Sequence, residues 1–554
     1  MKRSKITLIV VFCLSALVTF AAAKQSDQRF QASKSSDIFH SILRELNMLY
    51  VDTVDLEAAV NKGIDAMLSS LDPYTEFYSE QEETDLKMMT TGKYAGIGAI
   101  IRQYPEKKLI AIEEPYEGMP AAKYGLKAGD LILRVDGEDM RGKTNAEVSD
   151  RLRGEPDTKL VITVNRPGVS DSLDIEVVRG VIALPAVPYY GMVENRYGYI
   201  MLESFTDGCS KDVRRAIEDL LSQGAEGLIL DLRGNGGGLL TEAVEMVGLF
   251  VPKGTKVVET KGRAPQSART YSTNRAPILP ELPLVVMVDE QSASASEIVS
   301  GALQDLDRAV IVGNRTFGKG LVQSTRPLPY NGTLKLTTSK YYIPSGRCIQ
   351  KVDYAARRNG TDDKQTADTL QTKFYTATGR TVKSDGGIYP DTVCVLDTMP
   401  DILYRISTDV VLFDFINNYC LKNPTIGKME DFVVSDSLFD EFVDFIRHSN
   451  FKFESNSSKA LEMLKDMAEL EGLADKATEE FKSLAEKLQY DMDKDLEVFR
   501  EDLKRLMAIE ITTRYYYQRG GLYHSLKDDK CLDLAIGILD NPEAYKNILQ
   551  VLKD

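Results

Sequence analysis

The segment Gln291-Ser292-Ala293-Ser294-Ala295-Ser296-Glu297 sits between an apolar strand and an amphipathic helix, a corner that would present a serine hydroxyl beside free backbone amides. Amides at a helix N-terminus lack intrahelical acceptors and carry partial positive charge, so they can hold a developing oxyanion. The same residues also spell a helix cap, with Ser294 at the N-cap and Glu297 three positions on. Taken alone, the segment favours the plainer capping reading. Two further segments shift the balance. Asp231-Leu232-Arg233-Gly234-Asn235-Gly236-Gly237-Gly238 ends a buried strand in glycines, which let a backbone come close to a substrate. No Lys-Ser or Lys-Thr follows, so it fails as a phosphate loop and fits a backbone oxyanion donor better. Thr316-Phe317-Gly318-Lys319-Gly320 then sets a lysine between glycines after another buried strand, with Gln323 four residues beyond the lysine.

Ser294 and Lys319 together are a nucleophile and a base for acyl transfer. With a reference pKa of about 10.4, roughly one lysine in a few thousand is neutral at pH 7, and burial can depress the value by ~3 units. The chemistry therefore requires a desolvated Lys319 with no carboxylate neutralising it at close range. The neutral amide of Gln323 can hold the amine without raising its pKa. The three histidines, His40, His448 and His524, lie outside this region, so a Ser-His-Asp arrangement would have to recruit one from a remote segment.

Residues 180–398 supply the scaffold. Strands at Tyr197–Leu202, Gly227–Asp231, Leu282–Val288 and Ala309–Gly313 alternate with helices at Ser210–Gln223, Leu239–Leu249 and Ser294–Leu306, the pattern of an α/β core with parallel strands. Residues 351–385 form a polar insertion. Residues 91–179 read instead as a mainly β domain, with strands at Ile97–Ile101, Lys108–Ile112, Leu131–Val135 and Lys159–Asn165, a tight Asp136-Gly137 turn and a helix at Asn145–Arg153. In it, Gly96-Ile97-Gly98-Ala99 suits a turn whose amides bind a terminal carboxylate, with the next strand pairing to an extended peptide. An ordinary small β-domain with glycine turns is the equal alternative. Residues 24–90 form a helical region: Ile38, Ile42, Leu43, Leu46 and Leu49 recur at helical spacing, residues 36–90 read as helical, and a helix from Leu56 to Leu71 is closed by Asp72-Pro73. The tail, 399–554, is helix-rich, with runs at Ala460–Leu488 and Lys494–Ile511.

A length of 554 residues suits roughly three or four units. The formal charge of −15 repels phosphate backbones and argues against nucleic acid as a partner. Residues 1–23 have the form of a signal peptide: basic Lys2, Arg3 and Lys5, an uncharged run from Ile6 to Ala23, and small Ala21-Ala22-Ala23 at its end. If uncleaved, residues 6–23 would be the one route to membrane association. Cys13 follows bulky Phe12 inside that run, which argues against a lipoprotein site. The other cysteines, Cys209, Cys348, Cys394, Cys420 and Cys531, form no CxxC and no Cys/His cluster, so neither a metal nor a cofactor is expected. Their plainest role is as small buried apolar residues.

In these segments the chain resembles the C-terminal processing (tail-specific) serine peptidases. Ser292-Ala293-Ser294-Ala295-Ser296-Glu297 is similar to that family's nucleophile segment and Phe317-Gly318-Lys319-Gly320 to its base segment, and the Ser294–Lys319 and Gln323 spacings match as well. The glycine loop is similar to the family's Asp-Leu-Arg-Asn-Asn-Pro/Ser-Gly-Gly, but Gly234 replaces the first Asn and Gly236 the Pro or Ser. Gly125-Leu126-Lys127-Ala128-Gly129-Asp130 with Val135-Asp136-Gly137 resembles its PDZ domain. The resemblance spans about residues 36–395. It implies a multidomain fold: a crotonase-like α/β peptidase core, an inserted PDZ domain, and helical N- and C-terminal regions. It further implies an endopeptidase acting on proteins with a free C-terminus, which the segment at residues 1–23 would place outside the cytoplasm, in the periplasm or cell envelope. Ser294 would be the nucleophile, Lys319 the base and Gln323 its support. The amides of Ala295 and Gly237 would form the oxyanion hole, and Gly96, Ile97, Gly98, Ala99 and Arg153 would receive the substrate tail. The helical ends would pair subunits into a homodimer, as in some relatives, or shield the cleft. The rival readings are a non-catalytic PDZ scaffold and a serine hydrolase using a distant histidine.

Overall fold

A computed structural model describes residues 29–358, 373–395, 399–453, 456–488 and 491–550. The expected signal segment, residues 1–23, and residues 359–372 of the 351–385 insertion lie outside the described residues. The chain divides into two compact units, Met1–Phe77 with Thr325–Leu336, and Tyr78–Ser324 with Thr337–Asp554.

In the first unit a helix over residues 29–49 precedes Leu56–Ser69. The start of the second helix is capped by Asp55, which accepts the Ala58 N–H at 3.0 Å. Asp72 then takes the N–H groups of Tyr74 and Thr75, each at 2.9 Å, and turns the chain out of the helix. A short strand, Glu76–Tyr78, follows, so residues 36–90 are not helical throughout.

In the second unit, an antiparallel sheet runs in the order Ala99–Tyr104, Leu109–Pro115, Leu131–Val135, Lys159–Asn165 and Leu173–Val178. Asp136 and Gly137, both at positive φ, make the tight turn out of the third strand. Ile110, Ile112, Ile132, Ile162 and Val164 pack beneath the helix Asn145–Leu152 through Val148 and Leu152.

The α/β core has parallel strands in the order Tyr197–Met201, Gly227–Asp231, Leu284–Val288, Val310–Gly313 and Thr392–Val393, edged by antiparallel Tyr189–Val193. Its strands are apolar on both faces, as a sheet covered on both sides requires. Leu228 and Leu230 face the layer holding helices Cys209–Ser222, Leu240–Val247 and Ala295–Asp305. Ile229 faces the other side, which is closed by Leu532, Ala535, Ile538 and Leu539 of the helix Lys530–Leu539. The end of the tail is therefore the second layer of the core rather than a separate helical region.

Elsewhere in the tail, Ile406, Phe415, Phe439, Phe442 and Met507 form a second apolar cluster. The expected run Ala460–Leu488 is two helices, Asn456–Leu470 and Thr478–Lys487, the first ended by left-handed Gly472. The run Lys494–Ile511 likewise breaks, into Met492–Val498 and Arg500–Ser525.

Candidate active site

Ser294 stands where the strand Leu284–Val288 turns into the helix Ala295–Asp305, with φ 56° and ψ −110°. A side chain held in that region costs on the order of 1–3 kcal/mol and persists only where its surroundings over-determine it. They do. Asp289 accepts the N–H groups of Gln291 (3.0 Å) and Ser292 (2.9 Å) within the turn, and that of Gly234 from the glycine loop at 3.0 Å. Ser292 Oγ donates to Leu232 O at 2.7 Å. The Asn235 carbonyl accepts the Ala293 N–H at 3.0 Å and the Ser296 hydroxyl at 2.8 Å. Serine turn and glycine loop are thus pinned together at several points.

Gly237 lies against the serine. A Cβ there would stand 2.8 Å from Ser294 Cβ, 2.9 Å from Ala295 N and 2.6 Å from Ala293 O, at φ 101°. Its N–H, expected to face an oxyanion, instead donates to Asn235 Oδ1 at 2.8 Å. What Gly237 gives the site is its bare Cα, which leaves space before the Ala295 N–H. Ala295 opens its helix, where an N–H has no intrahelical acceptor. We expect Gly237→Ala to lower kcat about 100-fold, the scale of losing one oxyanion donor, in steady-state peptide cleavage by a folded variant.

Glu297 joins serine to lysine. Its side chain is fully buried, and the carboxylate accepts four donors: the N–H of Ser294 (2.9 Å), the hydroxyl of Thr316 (2.6 Å) and the N–H groups of Gly318 (2.8 Å) and Lys319 (2.9 Å). Burial pushes this carboxyl upward, against the pull of those hydrogen bonds. Tyr341 adds a second clamp, its hydroxyl lying 3.1 Å from Ser294 O and 2.6 Å from Lys319 O. The structure therefore brings the backbones of Ser294 and Lys319 to one carboxylate and one phenol. Both side chains are half-buried. Gln323 is also half-buried and donates through Nε2 to Thr337 Oγ1 at 3.1 Å.

Within the second unit, His448 and His524 are placed elsewhere. His448 Nδ1 is 2.7 Å from Asp444 O and His524 Nε2 is 3.0 Å from Met429 O, both on the C-terminal helices. Burial lowers the His524 pKa. Among the described residues no group of three or more His, Cys, Asp and Glu side chains could hold a metal.

At the other constellation, Ile97 is buried and its carbonyl accepts the Ala121 N–H at 2.7 Å, while Gly98 O accepts the Tyr116 N–H at 3.0 Å. Gly98 has φ 71° and Ala99 starts the first strand of the antiparallel sheet. Arg153, at the end of the helix Asn145–Leu152, lies over the Tyr94 ring at 5.6 Å, and its Cα is 3.6 Å from where a Gly96 side chain would begin. The loop and Arg153 thus lie together at the start of the strand Ala99–Tyr104.

Sequence reasoning read Glu297 only as a capping partner and missed Asp289, Asn235 and Tyr341. Asp289 carried a signal, since an aspartate directly after an apolar strand commonly turns the chain by accepting N–H groups two and three residues on. For Tyr341, in the strand Thr333–Tyr342, there was none.

Three family models match: Peptidase family S41 over residues 196–356, a PDZ domain over 112–166, and the Probable PDZ-protease, C-terminal helical domain over 402–539. The fold and the serine corner define a serine-type peptidase that carries a PDZ domain. The Carboxy-terminal-processing protease of Bartonella bacilliformis is 37% identical over 346 residues, covering 62% of this chain and 79% of the relative. The Carboxy-terminal processing protease CtpA of Bacillus subtilis is 32% identical, covering 62% and 74%. Among solved structures, the photosystem II D1 C-terminal processing protease is 29% identical with a TM-score of 0.36, over 65% of this chain and 87% of that one. This chain belongs to the carboxy-terminal-processing proteases.

Proposed function

We propose that the chain is an exported endopeptidase of the periplasm or cell envelope that cuts proteins near their C-termini with a Ser294–Lys319 dyad on a crotonase-like core. The observation that carries this reading is the shared carboxylate of Glu297, which holds the N–H groups of Ser294 and Lys319 each at 2.9 Å. Lys319 takes the hydroxyl proton as Ser294 attacks the carbonyl, and the oxyanion forms before the Ala295 N–H beside Gly237. The ammonium of Lys319 then protonates the leaving amine, and water, losing its proton to the now neutral Lys319, attacks the acyl group, which leaves as Ser294 Oγ regains a proton. Gln323, anchored through Nε2, keeps its carbonyl oxygen for Lys319.

The substrate tail lies along the strand Ala99–Tyr104, with its carboxylate at Gly96–Gly98 near Arg153. The N-terminal helix leaves Ile38, Ile42 and Leu49 exposed, and a second copy covers that stripe in a homodimer, which light scattering would read as twice the chain mass.

The test is cleavage of an unfolded protein with an apolar C-terminus, offered with its terminal carboxylate free or amidated. Wild type releases C-terminal fragments from the free form. Amidation removes one charge-assisted contact, so KM rises about tenfold while kcat holds. Equal KM for both forms would remove tail docking from the proposal, and equal cleavage by Ser294→Ala would end it.

A further inference from the structure

Asp529 precedes the helix Lys530–Leu539 and does two things at once. It caps that helix, Oδ1 accepting the N–H groups of Cys531 at 2.9 Å and Leu532 at 3.1 Å. It also receives the guanidinium of Arg233, with Nη1 3.2 Å from Oδ1 and Nη2 2.7 Å from Oδ2. This charge-assisted fork joins the glycine loop of the core to the end of the tail.

The other edge of Arg233 belongs to Asp231, with Nε 3.0 Å from each carboxylate oxygen and Nη2 2.7 Å from Oδ2. Asp231 is 2% exposed and also accepts the Tyr199 hydroxyl at 2.7 Å. Burial works against the Arg233 charge, yet Asp231 and Asp529 outweigh it and keep the group protonated. Directly after Arg233 come Gly234, held by Asp289, and Asn235, whose carbonyl fixes the serine turn. Of these supports, Asp231, Asp289 and Asn235 lie within the core segment already described. Asp529 does not.

We infer that Asp529 is a positioning residue for the glycine loop, so the last layer of the fold completes the peptidase site from the far end of the chain. The inference rests on the proposed reading of Ser294 and its oxyanion side. With the fork of Arg233 held on both edges, the loop start has one place to sit. Without Asp529, one edge opens to solvent and the loop gains freedom next to Ser294. Loosening by about 1 Å at a reacting centre costs up to ~100-fold in rate. The loss falls on kcat, because the loop shapes the space before the Ala295 N–H where the oxyanion of the transition state forms, while tail docking governs KM.

Asp529→Asn separates the two duties, since an asparagine still caps a helix but no longer pairs as an anion with Arg233. In the full-length chain we expect Asp529→Asn to lower kcat at least tenfold with KM unchanged and the unfolding midpoint near that of wild type. Asp529→Glu should regain part of the loss. Wild-type kcat in Asp529→Asn would overturn the inference, and so would a loss that appears only as lower folded protein. Should Asp529→Asn not fold, Asp529→Ser keeps a capping oxygen without the charge and carries the same expectations. Ser294→Ala run alongside keeps the two ideas apart: cleavage by that variant sinks the dyad whatever Asp529 does, whereas an inactive Ser294→Ala beside a fully active Asp529→Asn sinks only the positioning role.

Discussion

Replacing Lys319 with Ala or Arg stops peptide turnover as completely as replacing Ser294 with Ala, with kcat falling on the order of 10⁴-fold or more. The reasons differ. Without the serine hydroxyl there is no nucleophile, and only binding and oxyanion stabilisation remain. Without the lysine the hydroxyl keeps its proton. Arginine is the sharper probe because it preserves charge and length but is never neutral at working pH, so it cannot accept that proton. Neither change removes the Lys319 N–H bond to Glu297, which is a backbone contact, so both variants should fold. The measurement is single-turnover cleavage of a fluorogenic peptide with circular dichroism as control. Activity in Lys319→Arg within tenfold of wild type would exclude the lysine as base.

The second large effect belongs to Glu297→Gln. The carboxylate accepts four donors in a fully buried position. An amide of the same shape has one accepting oxygen, and its NH₂ must face donors on the other side. Whichever way it turns, either Ser294 and Lys319, or Thr316 and Gly318, lose their acceptor. Each buried unmet donor costs about 1–3 kcal/mol, so the serine and lysine loops should part and kcat fall about 10³-fold. Glu297→Gln should also unfold at lower temperature, because the same bonds tie the helix start to the lysine loop. If Glu297→Gln keeps both stability and rate, the carboxylate is a helix cap and nothing more.

Much of this architecture was legible in the sequence because its strands are short and punctuated. Gly227–Asp231, Leu131–Val135 and Lys159–Asn165 begin and end where the pattern placed them, each bounded by turn residues. The serine corner and the lysine loop were legible for the same reason: apolar strands stop and glycines or serines begin. What could not be read is what depends on distance in space. Thr333–Tyr342 is a ten-residue strand in which only Leu334 and Leu336 alternate with polar neighbours, too short a pattern to mark its length. Lys530–Leu539 has an apolar stripe, but a stripe does not say which surface it covers, so its place on the core sheet was hidden. Glu297 looked like a complete local motif, and local completeness concealed its bonds to Thr316, Gly318 and Lys319. The Gly237 amide was expected at the oxyanion from a family motif that this loop departs from at Gly234 and Gly236, and Asn235 takes it.

Lys319 must meet Ser294 as a neutral amine, and the pH dependence of Ser294 phosphonylation by a fluorophosphonate, in which the Oγ–P bond forms as fluoride leaves and which is read by mass spectrometry of the labelled peptide, tests this directly. The rate should rise with pH through an apparent pKa below that of free lysine, and Lys319→Ala should abolish the rise. A profile that climbs only near the pKa of free lysine, or one that survives Lys319→Ala unchanged, would contradict it.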